Sequence, residues 1–311
     1  MKDISKSEHL KYTGVIIESY GDQVKGPFKP VDEQEGRNAL LTYGTDLLYM
    51  GGELGIHGYN HQPLVPPGYQ NDEPDYVPWQ NEDDMEEALT EINRYVHEAF
   101  PKYKFRAYVP PSNILSPQGR EAILESLPDI RILSSLYDGS AEEEAYYQEF
   151  QREENGVYDI PRITAGYNPT GLDLYFECTV ITSIGVFNHF VHPDELFYEE
   201  SKDKTWHMMK EGLQEFLKQI DSRYGWLTAV TASESLPYFD SYFNLDYRVL
   251  RKPDELEIHC WNYTHEASFL LRSTKEVASS KDCHVQKIGD EMYFVKITGP
   301  EAHIYWKGSS L

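Results

Sequence analysis

The chain has 311 residues, of which 52 are Asp or Glu and 28 are Lys or Arg, so its formal net charge at pH 7 is −24. A surface this acidic repels phosphate backbones and anionic lipid headgroups, which argues against nucleic acids and membrane surfaces as partners. The chain contains no apolar run of about 18 residues that could span a bilayer, and residues 1–6 lack the apolar core of a signal peptide. Its three cysteines have no C-x-x-C spacing, so neither a disulfide framework nor a thiolate zinc site is predicted.

The first half of the chain alternates between apolar runs typical of buried strands and segments with helical spacing of apolar residues. Asn81 offers an N-cap before Met85, Leu89 and Ile92, which recur at helical intervals. The predicted strands are 12–18, 53–57, 104–109 and 130–137, and the predicted helices are 33–50, 81–96 and 117–127. This order predicts parallel β/α units.

The second half is less regular. Residues 62–80 and 142–154 are predicted loops, 180–187 and 226–230 strands, and 206–220 a helix. From about residue 240, apolar and polar residues alternate in short segments without intervening helices, which predicts an antiparallel β domain of about 70 residues. We therefore expect one domain at 1–238 and a second at 239–311.

Two histidines four residues apart are the first candidates for chemistry. Gly58 follows His57, and Asn60 precedes His61, so the pair is expected at the end of a strand and in the following turn, not on a helix. Active sites of α/β barrels lie at the carboxyl ends of the strands, and histidine is the commonest protein ligand of catalytic metals. Such a pair also arises by chance, so its context matters.

Further polar residues follow other predicted strands. His189 and His192 come directly after residues 180–187, although the adjacent Pro193 could equally cap a helix. Arg106 belongs to the third predicted strand and could orient a carboxylate, or could simply be a surface residue. The chain has no G-x-S-x-G, Walker A or G-x-G-x-x-G motif, which argues against the α/β-hydrolase fold, a P-loop and a dinucleotide-binding fold.

The histidine segments carry a family resemblance. Residues 53–61 resemble the metal-binding motif of the NodB-like polysaccharide deacetylases, and 189–194 resemble the late histidine motif of their divergent exopolysaccharide-deacetylase relatives. The resemblance covers 12–235 and implies a (β/α) barrel that removes N-acetyl groups from a hexosamine polymer with a divalent metal, commonly zinc. Together with the alternating segment, it leads us to expect an α/β chain with an incomplete (β/α) barrel followed by a small C-terminal antiparallel β-sandwich.

The resemblance also implies roles for individual residues. His57 and His61 would bind the metal, Arg106 would help form the groove, and His189 or His192 would be the general acid. The residues expected to contact the polysaccharide are Tyr59, Tyr108, Pro110, Pro111 and Asn113.

One element of the family pattern is not found. Its opening strand ends in an Asp-Asp pair that supplies the catalytic base and a third metal ligand, and we expect that strand before residues 12–18. The 11 residues that precede them contain only Asp3 as a possible match. The expectation is a degenerate member or the carboxyl-terminal part of a longer exported protein at the cell envelope or outside the cell, with weak metal binding and little activity.

Two other interpretations stay open. The chain could be a non-catalytic glycan-binding protein derived from a deacetylase. It could also be an unrelated metallohydrolase whose carboxylate ligand is Glu53 or Asp194.

Overall fold

The structure is a computed structural model that describes residues 1–30, 32–69, 76–136 and 150–308. The chain divides into two compact units, unit 1 (Met1–Ser233) and unit 2 (Glu234–Leu311). Within the described ranges, no helix combines the length and the apolar character needed to cross a membrane.

A six-stranded sheet is the centre of unit 1. Its strands have the spatial order β1-β2-β3-β4-β6-β5, and all neighbours are parallel except β5 and β6. A separate parallel pair is formed by β7 and β8. The strands are β1 (Thr13–Ile16), β2 (Glu53–Ile56), β3 (Ala107–Tyr108), β4 (Ile132–Leu136), β5 (Gln151–Arg152), β6 (Tyr158–Arg162), β7 (Thr164–Ala165) and β8 (His189–Phe190).

Five helices of unit 1 begin after a residue whose side chain caps the first turn: Asp32, Asn81, Ser116, Thr170 and Thr205. The longer ones bury apolar residues, and the side chain of Asn81 accepts a 2.8 Å hydrogen bond from the backbone N–H of Asp84, as predicted from its N-cap position. A π-helical segment, Leu40–Gly44, joins the second and third helices. The helices are α1 (Lys2–Ser7), α2 (Glu33–Ala39), α3 (Thr45–Tyr49), α4 (Glu82–Ala99), α5 (Pro117–Ser126), α6 (Gly171–Ile184), α7 (Trp206–Tyr224) and α8 (Ala232–Asn244), the last of which continues into unit 2.

The parallel sheet confirms the predicted mixed α/β class. Ile16 pairs with Ile56, and Ile56 with Tyr108, so the residues that follow β1, β2 and β3 come to one edge of the sheet. The described strands form an open six-stranded sheet and a separate pair, and the incomplete barrel therefore stays a prediction.

The prediction of a strand at 180–187 is wrong, because most of these residues belong to α6. Thr170 and Asp173 form a reciprocal capping box, and Gly185 ends the helix in a left-handed conformation with φ of 73°. These end signals decide the conformation over the β-branched residues between them. Residues 226–230 do not form a strand either, and β6, which is buried along its whole length, was not predicted. Parts of the predicted loops at 62–80 and 142–154 lie outside the described residues.

Unit 2 consists of two antiparallel sheets over one core, the arrangement of a β-sandwich. The four-stranded sheet has the order β12-β15-β10-β9 and the three-stranded sheet β11-β14-β13. Ile258 and Ile304 of the first sheet share the core with Val295 and Ile297 of the second. The strands are β9 (Asp246–Arg251), β10 (Glu255–Trp261), β11 (Ala267–Arg272), β12 (Val277–Lys281), β13 (Cys283–Gly289), β14 (Met292–Ile297) and β15 (Glu301–Trp306). The predicted antiparallel strands are confirmed.

Candidate functional site

His57 directly follows β2 and is held in one orientation. Its Nδ1 lies 2.7 Å from the carbonyl oxygen of Val109, the residue after β3. A carbonyl can only accept, so Nδ1 carries the hydrogen and Nε2 keeps its lone pair. Burial lowers the pKa of His57 to about 3, and the nearby Arg162 and His192 act in the same direction. The ring is therefore neutral, and its Nε2 can coordinate a metal or accept a hydrogen bond.

A tight turn brings His61 to His57. The ring centroids are 5.0 Å apart, with an interplanar angle of 66°. Gly58 has φ of +79°, and a Cβ there would lie 2.8 Å from Cγ of Pro111, so only glycine fits without displacement. Burial lowers the pKa of His61, and His192 adds to this effect. We call His57 and His61 the histidine pair.

His192 is the residue of the late histidine segment that approaches this pair. Its charge lowers the pKa of both members. Its backbone N–H donates to Glu195 Oε1 at 2.9 Å, and its Nδ1 lies 3.7 Å from the same oxygen. Burial alone would raise the pKa of Glu195, but the hydrogen bonds from His192 and from the backbone of Tyr167 outweigh it and leave that pKa lowered. Glu195 thus stays charged and holds His192.

His189 has a different environment. Its Nδ1 lies 2.8 Å from Thr164 Oγ1, and its Nε2 lies 2.8 Å from the carbonyl oxygen of Gly166. The ring packs against Phe216 at a centroid distance of 5.2 Å. Because both nitrogens are engaged, the geometry favours His192 over His189 as a proton donor.

Arg106 does not lie with the histidines, and its predicted place in the groove is corrected. It precedes β3, whereas His57 follows β2, so the two residues lie at opposite ends of parallel strands. Its Nη1 donates to the carbonyl of Asp129 at 3.3 Å and lies 4.0 Å from the Asp129 carboxylate.

The predicted polysaccharide contacts are mostly buried beneath the site. Tyr59 is 1% exposed and Tyr108 0%, and Pro110 and Pro111 are also buried, which leaves no ring face for a sugar. Asn113 is half-buried. These residues support the turn and are not a binding surface.

Exposed aromatic rings near the histidines come from other segments. Tyr20, after β1, is 71% exposed, and its ring lies 5.1 Å from that of His61. Tyr198 is 40% exposed, and its ring lies 6.2 Å from that of His192. Neither was predicted from the sequence, because neither belongs to a histidine motif.

Arg162 was also missed. It ends β6, is 5% exposed, and its guanidinium carbon lies 3.8 Å from the centre of the Phe190 ring. One of its nitrogens donates to Oδ1 of Asn113, and its charge lowers the pKa of His57. The arginine close to the histidine pair is therefore Arg162.

Two carboxylates are placed near the histidine pair. Glu18, after β1, accepts the backbone N–H of Asn60 at 3.0 Å, and burial raises its pKa to about 7. The second is Asp194: burial lowers the pKa of His61, and the negative charge of Asp194 partly opposes that shift. Glu53, by contrast, begins β2 at the other end of the sheet and accepts the backbone N–H of Ser233 at 2.8 Å.

A metal needs several donors within reach of one point. In the described part of the chain, the group of three whose atoms lie within 4.8 Å of one another is Glu255, Glu257 and His303 in unit 2, and not the histidine pair with a third residue. Lys252 already offsets one of the two negative charges of this group, since its Nζ lies 2.8 Å from Glu255 and also bonds Glu257. The histidine pair fits a metal by donor type: His57 is buried and His61 half-buried, burial lowers the pKa of both, and no ion pair among the described residues involves either ring.

Comparison with known proteins gives low similarities. No curated protein matches the chain. Among solved structures, BA3943, a CE4 family pseudoenzyme from Bacillus anthracis, has 12% identity and a TM-score of 0.41 over 76% of this chain and 58% of its own. Agd3, a carbohydrate deacetylase, has 11% identity and a TM-score of 0.40 over 82% of this chain and 44% of its own. An α-fucosidase from Thermotoga maritima has 10% identity and a TM-score of 0.35 over 98% and 78%.

The chain thus spans less than two thirds of the length of BA3943 and of Agd3. Similarities this low assign no activity to this chain. A family model described as "Uncharacterised protein conserved in bacteria (DUF2194)" matches residues 1–294. Since this match covers nearly the whole sequence, the chain belongs to that family.

Proposed function

We propose that unit 1 hydrolyses the N-acetyl amide of an N-acetylhexosamine polymer in a metal-dependent reaction. The observation that carries the proposal is the histidine pair, because His57 keeps a free Nε2 beside His61 at the carboxyl end of a parallel strand. The resemblance of residues 53–61 to the metal-binding motif of polysaccharide deacetylases supports the same reaction.

The histidine pair would hold the divalent metal, with zinc as the expected ion and Asp194 as the carboxylate that completes the ligands. When bound, the ion would polarise the amide carbonyl and make water a stronger nucleophile at neutral pH. The affinity should be low, since in the described residues the histidine pair does not belong to any group of three donors whose ligand atoms all lie within 4.8 Å of one another.

The remaining roles fall to residues around the pair. His192, held by Glu195, donates a proton to the departing amine nitrogen. Glu18 accepts the proton of the attacking water, since its Oε2 has no hydrogen-bond partner among the described residues and its pKa of about 7 suits a base at neutral pH. Tyr20 and Tyr198 offer ring faces to the sugars.

Acetate release tests the proposal. The purified chain with zinc is incubated with N-acetylglucosamine oligomers, and acetate is measured by a coupled assay. His57→Ala should abolish release, and His192→Ala should reduce it by about 10²–10⁴-fold. The control is His207→Ala, because that side chain is 79% exposed on α7. Equal release by the wild type and His57→Ala would exclude the histidine pair from the reaction.

A second candidate function is glycan binding without catalysis, which is favoured by the lack of a third close donor at the pair within the described ranges. This function predicts that the chain retains oligosaccharides without releasing acetate. Tyr20→Ala should then weaken binding, whereas His57→Ala should not. A metal-dependent release of acetate would exclude it.

A further inference from the structure

Arg162 is a buried charge held in a fixed position. The residue is 5% exposed, Phe190 covers one face of its guanidinium at 3.8 Å, and Asn113 accepts a hydrogen bond from Nη2. A guanidinium held on one face and at Nη2 keeps its other N–H groups at fixed positions in its own plane.

Those other groups lack partners. Nε and Nη1 have no hydrogen-bond partner, and no Asp or Glu forms an ion pair with Arg162 in the part of the chain that the structure describes. Burial lowers the pKa of Arg162 to about 10, so the side chain is still charged at neutral pH. A buried charge without a counter-charge is strongly unfavourable. Buried N–H groups of native proteins nearly always donate a hydrogen bond to protein, water or ligand.

We propose that Arg162 binds a carboxylate beside the histidine pair. Each free donor shares an edge of the guanidinium with Nη2, which carries two hydrogens. The edge that Asn113 leaves open therefore offers two N–H groups to the two oxygens of one carboxylate, the anion that a guanidinium binds most specifically. Asn113 and Phe190 act as positioning residues that hold the fork. The inference deepens the proposed function and rests on it for the source of the anion.

Two sources provide this chemistry in the proposed reaction. One is acetate, which the hydrolysis releases next to His57. The other is a uronic acid residue of the polymer, which would make the substrate an acidic polysaccharide. The ligand group is the same, but the two sources differ in whether a sugar ring accompanies the carboxylate.

The test is a ligand-observed NMR titration of the full chain at pH 7 with sodium acetate and, separately, sodium glucuronate. EDTA is present, so that binding to a metal does not contribute and the result is independent of catalysis. The wild type should bind at least one of the two carboxylates, and Arg162→Gln should weaken that binding by about 10- to 100-fold. Tighter binding of glucuronate than of acetate identifies the sugar-borne source, and the reverse identifies the product.

Arg106→Gln is the matched control, since Arg106 contacts Asp129 and lies at the other end of the strands. It should bind both carboxylates like the wild type. Arg162→Lys, which keeps the charge and loses the fork, should bind with intermediate affinity. If Arg162→Gln fails to fold, Asn113→Ala provides the comparison, with an expected severalfold loss. Absence of binding to the wild type, or wild-type binding by the folded Arg162 and Asn113 variants, would overturn the proposal while leaving deacetylation open.

Discussion

The hydroxyl of Thr164 lies 2.8 Å from Nδ1 of His189, and this contact determines which atom donates in each hydrogen bond between His189, Thr164 and Glu177. His189 Nε2 donates to the carbonyl of Gly166, so Nδ1 of the neutral ring must accept the hydroxyl hydrogen of Thr164. Thr164 also contacts the carboxyl group of Glu177 and has no second hydrogen to give. Glu177 is therefore the donor and carries a proton, in agreement with its pKa, which burial raises to about 8.

The first prediction concerns Glu177 and pH. Its pKa is about 8 in the folded state and near the ordinary 4.5 when unfolded, so the unfolded state loses its proton first as the pH rises. The free energy of unfolding should therefore fall between about pH 4.5 and pH 8, by an amount on the order of a few kcal/mol from this group. Glu177→Gln removes this titration.

Urea unfolding of both proteins at pH 5 and pH 8 measures the effect. The stability of the Gln variant relative to the wild type should be higher at pH 8 than at pH 5. An unchanged difference between the two pH values would show that Glu177 is ionised in the folded protein.

The second prediction separates His189 from His192. His189→Ala removes two hydrogen bonds and a packed ring, so it should lower the free energy of unfolding by about 1–3 kcal/mol. His192→Ala should change stability by less than about 1 kcal/mol, because its side chain is 41% exposed. Thermal unfolding and acetate release are measured on both variants. A stable, inactive His189 variant beside an active His192 variant would reverse the roles.

The third prediction concerns the turn that carries His61. Gly58→Ala combines a positive φ with a 2.8 Å approach to Pro111, so it should destabilise the protein by more than about 1 kcal/mol and weaken metal binding. Gly68→Ala is the matched control, because Gly68 has a similar φ of +83° with open space around it. The Gly68 variant should show only the smaller conformational cost. Equal losses in the two variants would mean that the contact with Pro111 is unimportant.

The histidine pair could be predicted because its signals are local. Gly58, Asn60 and the preceding apolar run are adjacent in sequence and specify a strand that ends in a turn. Arg162 could not be predicted in the same way, since its place near His57 depends on the pairing of β4 with β6. Likewise, Tyr59 and Tyr108 are aromatic residues of the kind that stack against sugars. Both are buried because of how the sheet packs, which the sequence does not reveal.

The misassigned segment at 180–187 has a similar cause. Its apolar, β-branched residues fit a strand, and the capping box that makes it a helix begins ten residues earlier, at Thr170. Once α6 is placed, His189 becomes part of a two-residue strand paired with β7 and no longer the residue that ends a long buried strand. Placing α6 therefore changes the position of His189, and the histidine motif alone could not have shown this.

The last prediction uses zinc to distinguish the two groups of donors. At Glu255, Glu257 and His303, zinc has to displace the ammonium group of Lys252, which bonds both carboxylates. At the histidine pair, no ion pair within the described ranges involves His57 or His61, and His57 is already neutral with Nε2 free. Zinc titration of the full chain should therefore fill the histidine pair first.

His57→Ala should lower the affinity of this first zinc-binding event by about 10- to 100-fold, because an incomplete site would lose one of its ligands. Glu257→Gln should leave the affinity unchanged. A first event that survives in His57→Ala and disappears in Glu257→Gln would place the metal in unit 2 and remove the metal from the proposed reaction.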